Sequence, residues 1–348
     1  MIVIGVDSHK RTHTVVATDG TGRKLAEKTV AATSVGHLEL VRWAGRFADR
    51  TFALEDCRHL SRRLSTDLLI AGERVVRVPP KLMAGARRSS REPGKSDPID
   101  ALAVARAALR EDLPVATLDG PEREVRLLVD HREDLVAERT RAQNRLRWHL
   151  HELDPGSEPP ARGLDRAVVL AVLETRLAGQ PGTVARIARE LVGRIRELTT
   201  TINDLEREIG RLVSSLTPSL LALIGCGPLT AAKLVGETAG VGRFRSAAAF
   251  ASHNGSAPLP VWSGNTERHR LSRTGNRQLN VALHRIAITQ LQREGPGKTY
   301  VAHRRSMGNT KTEAIRALRR RISDEVFRRM RHDEAARAAG PTGLAAAA

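Results

Sequence analysis

The chain opens with short apolar runs separated by turns. Ile2 to Gly5 reads as a buried strand, and His13 to Ala17 and Lys24 to Val30 as two more. Asp19-Gly20-Thr21-Gly22 supplies the turn between the second and third. Apolar residues then switch to a helical period at Leu38, Val41 and Phe47, predicting a helix over Val35 to Phe47. Thr51 to Leu54 returns to strand, Leu60 to Ala71 to amphipathic helix, and Val75 to Val78 to a strand closed by Pro79-Pro80. Arg87 to Lys95 is basic, with Pro93 and Gly94, and reads as a mobile loop before an Ala-rich helix over Pro98 to Leu109. Alternating strands and helices predict an α/β domain over residues 1–115.

Strand signals stop at Pro121. Val125, Leu128, Leu135, Ala142, Leu146 and Leu150 share one face of a long helix, followed by a Pro/Gly-rich break at residues 155–160. A second long helix begins near Thr183. Ile195, Leu198, Ile202, Leu205, Ile209, Leu212 and Leu216 recur at alternating steps of three and four, the spacing of a coiled-coil seam. An antiparallel pair within the chain and a seam between two copies both fit that pattern. Residues 116–216 are therefore expected to form a coiled-coil helical region, and 217–339 a helical C-terminal domain broken by Gly and Pro. A disordered tail is expected at 340–348.

Charge sharpens this picture. Among 348 residues there are 57 Lys+Arg against 39 Asp+Glu, a net +18, and only eight of the basic residues are Lys. Such a balance predicts attraction to a polyanion, and the planar guanidinium fork suits phosphate. From His303 to His332 ten Lys/Arg face three Asp/Glu. Two cysteines, Cys57 and Cys226, exclude a disulfide framework and a zinc finger. No apolar run is long enough to span a bilayer, and the N-terminus lacks the pattern of a signal peptide, so a cytoplasmic protein is expected. With aromatics at 3%, base-stacking on single strands is disfavoured relative to duplex backbones.

Four carboxylates stand out by position. Asp7 closes the first strand and Glu55 the fourth, while Asp97 and Asp100 open the Ala-rich helix on one face. Strand C-termini and helix N-termini of an α/β sheet meet at one edge. Four carboxylates there repel one another unless a cation lies between them, and hard oxygen ligands select Mg²⁺ or Mn²⁺. Two such ions could clamp a phosphodiester. The plain alternative is helix capping: Asp97 as N-cap, Pro98 at N1 and Asp100 near the dipole.

Two further segments carry candidate chemistry. Leu221 to Pro228 contains Gly225-Cys226-Gly227 before a helical run, the pattern of a helix-hairpin-helix whose backbone amides approach a phosphate. A glycine-based turn between packed helices gives the same pattern. Further on, the Gly- and Pro-rich loop Gly255 to Asn265 holds Ser263 and is followed by Arg268, Arg270, Arg273 and Arg277. A serine facing arginines could attack a phosphorus while they hold its charged oxygens. Ser252, Ser256 and Ser272 compete for that role on spacing alone.

Taken in order, these motifs resemble the DEDD insertion-sequence transposases. The matching residues are Ile4 to Lys10, Leu54-Glu55, Lys95 to Ala101, Ile224 to Pro228 with Thr230-Ala231-Ala232, Gly242-Arg243-Phe244, Ala249-Phe250-Ala251, and Gly255 through Ser263-Gly264 to Arg273 to Arg277. The resemblance covers about nine-tenths of the chain. It implies a RuvC/RNase H-like N-terminal domain, with Asp7, Glu55, Asp97 and Asp100 as a metal-binding tetrad. It also implies that Ser263 in the C-terminal domain is a nucleophile forming a transient link to DNA. Partners implied are donor and target double-stranded DNA, a structured bridge RNA that guides the reaction, and further copies as a homodimer or tetramer. The chain departs from the family where Glu55 is followed by Asp56-Cys57-Arg58-His59, which leaves Asp56 as an alternative ligand. It departs again at Trp262, where a second small polar residue is common, leaving Ser263 the one serine at that spot. Two other readings compete: a RuvC-like junction endonuclease using water, and a non-catalytic DNA- or RNA-binding protein. A tyrosine recombinase would need Tyr300, the only tyrosine.

Overall fold

The computed structural model describes residues 1–57, 59–80, 82–83, 96–113, 115–156, 158–264, 266–270 and 275–339. The expected basic loop at Arg87 to Lys95 and the tail at 340–348 lie outside them, as do Ser272 and Arg273. The chain forms two compact units, Met1–Asp119 and Gly120–Ala348.

The first unit is a five-stranded sheet: β1 (Ile2–Ser8), β2 (Thr12–Thr18), β3 (Lys24–Ala31), β4 (Arg50–Glu55) and β5 (Val75–Val78), in the order β3-β2-β1-β4-β5. β1 runs antiparallel to β2 and parallel to β4, β2 runs antiparallel to β3, and β4 parallel to β5. This order, with the second strand reversed, is that of RNase H-like domains, RuvC among them. Central β1 is buried from Val3 to Ser8, which explains its unbroken apolar run. Edge strand β3 alternates exposed and half-buried residues and carries Lys24, Glu27 and Lys28, which blunt pairing with another chain.

Helices cover both faces. On one side Ile4, Val6, Val15, Phe52 and Leu54 pack with Leu40 of α1 (Ser34–Ala44) and Leu64 and Leu68 of α2 (Arg62–Ile70). On the other, Val3, Ala53, Val76 and Val78 pack with Ala103, Val104 and Ala107 of α3 (Asp97–Arg110). The period of two along β1 therefore sends Val3, Gly5 and Asp7 toward α3.

Among its described residues, the regular structure of the second unit is helical except for one hairpin. α4 (Pro121–Leu153) and α6 (Thr183–Leu216) are each about 50 Å long at 1.5 Å per residue. They lie antiparallel, because Arg132 pairs with Glu206 while Arg194 pairs with Glu138. Ile195, Leu198, Ile202 and Ile209 of the heptad series are buried and Leu205 is half-buried. α5 (Ala167–Ala178) closes one end of the pair with Leu170, Leu173 and Leu177. The other end shares a core with the C-terminal helices: α7 (Pro218–Leu221), α8 (Pro228–Thr238), α9 (Ala247–His253), α10 (Arg277–Gln292), α11 (Pro296–Ser306) and α12 (Lys311–Ala338). α12 starts in a reciprocal cap: Glu313 N–H donates to the Thr310 hydroxyl, and the Glu313 carboxylate accepts from Thr310 N–H. Among the described residues no helix is long and apolar enough to cross a membrane.

One expectation is corrected. The stretch read as a loop from Gly255 to Asn265 contains a strand, β6 (Leu259–Ser263), paired antiparallel with β7 (Thr266–Arg270). Pro258 and Pro260 hid it. Pro260 is tolerated because a two-stranded ribbon consists only of edges.

Candidate active site

Gly5 determines where the acidic residues meet. A Cβ there would lie 2.1 Å from the Ala101 carbonyl oxygen and 2.6 Å from the Ala105 amide, so α3 docks backbone to backbone on β1. Two residues on, Asp7 leaves the same face of β1, and one residue before Ala101, Asp100 leaves the first turn of α3. The approach allowed by Gly5 and the small residues of α3 thus brings both carboxylates together. Asp7 and Asp100 are both buried, at 6% and 7% exposure. Glu55 follows the Val6–Leu54 pair in the parallel register, so it stands beside Asp7 on the neighbouring strand, half-buried. Asp56 lies one residue past the strand, and its amide donates to Val78 O.

Asp97 does not cap its helix. The N-cap is Ser96, and Asp97 is the first helical residue. Its carboxylate instead lies 3.4 Å from His9 Nε2, which is also 3.1 Å from Asp7 Oδ2. Asp7, His9 and Asp97 each offer a ligand atom, all within 4.8 Å of one another. Burial raises the Asp7 carboxyl above its usual range; the hydrogen-bonded His9 pulls it down, and Asp100 and Asp97 push it up again. A buried carboxylate whose proton affinity is held up by burial and by neighbouring carboxylates is what a divalent cation relieves, and the carboxylate oxygens gathered here suit a hard cation. The capping alternative fails at Asp97, where the carboxylate is turned to the cluster. His9 had no role in the sequence reading. The available signal was Asp-x-His at a strand end, a spacing of two that keeps both on one side.

In the second unit Gly225 has a φ of 88°, the left-handed region, and a Cβ would lie 3.0 Å from the Ile286 carbonyl oxygen. Gly227 precedes Pro228 as the N-cap of α8 in extended backbone, with open space beside it. Gly225 is needed for the turn; at Gly227 the space beside the helix start is open.

Ser263 occupies the tip of the β6–β7 hairpin, paired in register with Thr266. Gly264, with φ of 57°, begins the two-residue turn. The neighbouring Trp262 is 68% exposed. Arg268 and Arg270 belong to β7, and Arg277 is the exposed first residue of α10. Of the competing serines, Ser252 is exposed on α9, whereas the Ser256 hydroxyl is buried without a hydrogen-bond partner. Tyr300 sits on α11 against the core, its ring under the Arg321 guanidinium.

An RNase H-like sheet with an acidic edge, joined to a basic helical unit, defines the class: an enzyme of polynucleotide strands. Comparison with known proteins gives the family. The DEDD transposase model of IS110-type elements matches residues 4–155, and a model described as transposase of the IS116/IS110/IS902 family matches 218–302. The chain is 28% identical to the insertion element IS116 uncharacterized 44.8 kDa protein of Streptomyces clavuligerus, over 95% of this chain and 94% of that one. It is 27% identical to the insertion element IS900 uncharacterized 42 kDa protein of Mycobacterium paratuberculosis, over 91% and 92%. Among solved structures, T. thermophilus RuvC in complex with Holliday junction substrate covers 33% of this chain and 99% of its own, at 17% identity and a TM-score of 0.27. The fold assignment rests on strand order rather than on that match. The chain belongs to the DEDD insertion-sequence transposase family and is a transposase.

Proposed function

We propose that this transposase cuts and rejoins DNA strands with Ser263 as nucleophile, assisted by a Mg²⁺- or Mn²⁺-binding centre at Asp7, Glu55, Asp97 and Asp100. The observation that carries the reading is the Gly5 contact, which packs the two helix aspartates onto a buried strand aspartate. A bound divalent ion would supply positive charge to the phosphate oxygens. Asp7 and Asp100, buried, would hold it, with Glu55 and the exposed Asp97 completing the set. At Ser263 the hydroxyl oxygen bonds to phosphorus as the phosphorus–oxygen bond to one deoxyribose breaks. The serine proton leaves and the departing oxygen takes one up. Arg268, Arg270, Arg273 and Arg277 neutralise the phosphate.

Gly225 and Gly227 form a helix-hairpin-helix contact to the DNA backbone, and α4 with α6 acts as a coiled-coil spacer. The partners are donor and target duplexes, recognised with the help of a structured bridge RNA encoded by the element. A homodimer or tetramer suits the four strands that an exchange between two duplexes must cut. The reaction belongs in the cytoplasm, where the element's DNA is found.

Strand exchange between donor and target duplexes, in the presence of RNA transcribed from the element's flanks, tests this. Exchange should require Mg²⁺ or Mn²⁺. It should be lost both in Ser263→Ala and in Asp7→Asn combined with Asp100→Asn. Cleavage surviving in Ser263→Ala would favour a junction endonuclease that uses water. Full exchange in the double Asn variant would remove the acidic centre from the mechanism.

A further inference from the structure

The Ser263 hairpin has no sheet to lie in. A two-stranded ribbon is marginal alone, so its aim must be set where it joins the helices. That root is closely built. A Cβ on Gly275, just before α10, would lie 2.3 Å from Gly255 N and 2.5 Å from Gly255 Cα, so the two ends of the excursion touch backbone to backbone. Asn276 N–H donates to His253 O at 2.6 Å across the same neck.

Side chains then lock the neck to three helices. The Asn276 carboxamide oxygen caps α10, accepting from Gln278 N–H at 2.9 Å and Leu279 N–H at 3.1 Å. Its Nδ2 donates to Glu237 Oε2 at 2.7 Å. Glu237, on α8, is 7% exposed and is also held by Arg126 at 3.2 Å. On the other side of the neck, fully buried Asn254 donates through Nδ2 to Ser323 Oγ on α12 at 2.8 Å, and its Oδ1 accepts from Ser256 N–H at 3.0 Å. Asn280 Nδ2 closes the network on Asn254 O. A helix cap alone needs one acceptor. A half-buried amide that uses both its oxygen and its nitrogen, joined to a buried carboxylate, is more than capping requires. Such satisfied networks hold one geometry because each lost bond leaves a costly buried polar group.

We infer that Asn276 and Glu237, with Asn254, are positioning residues: they fix the neck of the β6–β7 hairpin and so the direction in which Ser263 is presented to the scissile phosphate. This rests on Ser263 as the nucleophile. Asn276→Asp isolates the link from the cap, since Asp still caps a helix but loses the amide donor and sets two carboxylates together. Adding Glu237→Gln restores a hydrogen bond with donor and acceptor exchanged.

The test follows covalent protein–DNA adduct formation, duplex affinity and thermal midpoint in the full chain, for wild type, Ser263→Ala, Asn276→Asp and the Asn276→Asp/Glu237→Gln pair. Asn276→Asp should slow adduct formation by about a hundredfold, the cost of misplacing a reacting group by about an ångström. Duplex affinity should change little, the midpoint should fall without unfolding the chain at the assay temperature, and the paired variant should recover most of the rate and of the midpoint. A wild-type adduct rate in Asn276→Asp overturns the inference. So does a loss matched by a fallen midpoint and not rescued by the pair. An adduct that forms equally in Ser263→Ala removes the nucleophile reading itself, a different failure. If the adduct requires Ser263 but ignores Asn276, only the positioning role falls.

Discussion

The two units place their candidate reactive groups by opposite means. In the first, apolar packing does the work: small residues let α3 settle on β1, and the sheet register sets Glu55 beside Asp7. In the second, a two-stranded ribbon is held at its root by one buried and one half-buried amide and by a buried carboxylate. Packing of that first kind is sensitive to volume and indifferent to charge. A polar neck is the reverse, so the two positioning devices, as distinct from the groups they position, should fail under different substitutions.

The largest expected effect comes from the acidic centre. Asp7→Asn should reduce metal-dependent strand exchange by about a hundredfold or more, since one ligand charge is lost where phosphate charge must be neutralised. Measuring exchange against Mg²⁺ concentration checks it, and an unchanged profile would contradict the metal reading. Gly5→Ala should come next. The new methyl group meets backbone, which cannot rotate away, so α3 must shift; the expected stability cost is at least about 1–3 kcal/mol. Chemical denaturation and exchange assays should both register it, because the same shift carries Asp97 and Asp100 away from Asp7.

Acid should act on both units through buried histidines, most strongly through His13 in the first and His253 in the second. His13 is buried on β2, with Nε2 3.2 Å from His37 Nε2, and burial followed by the His37 and His9 charges lowers its pKa to about 4. His253, at the hairpin neck, is likewise lowered to about 4 by burial and then by Arg243, against a smaller opposing effect of Glu237. Each folded pKa lies below the unfolded value near 6.5, so the unfolded state binds the proton first. Stability should be complete above about pH 6.5 and fall as pH drops toward 4. Melting curves across that range check the sign, and His13→Gln should flatten the response of the first unit. The smallest effect is expected at the α4–α6 surface. Arg194, half exposed, pairs with Glu138 at 2.6 Å, and Arg194→Ala should leave the melting midpoint almost unchanged.

The contrast also explains what the sequence disclosed. The first unit was legible because its strands follow the period of two and its acidic residues fall where strand ends and a helix start must meet. Val75 to Val78 was found with its observed bounds. The close docking at Gly5 was not legible, because a glycine in a strand does not name the backbone it touches. The long helices of the second unit were read from their heptads, yet spacing could not choose an intramolecular antiparallel pair over a seam between copies. Charge pairs such as Arg132–Glu206 make the antiparallel pairing visible. The hairpin was missed because Pro258 and Pro260 are loop signals and its partner strand, Thr266–Arg270, is polar and basic. Its neck was beyond sequence reasoning, since Asn254 meets Ser323 and Asn276 meets Glu237 only through tertiary packing.

In the proposed reaction one serine at the hairpin tip takes up the DNA strand. Trapping the wild-type reaction, digesting with trypsin and mapping the nucleotide adduct by mass spectrometry tests it directly. The tryptic peptide from Ser246 to Arg268 contains Ser246, Ser252, Ser256 and Ser263, and fragmentation separates them. The account predicts the nucleotide on Ser263 alone. An adduct on another residue, or exchange proceeding with none, would contradict it.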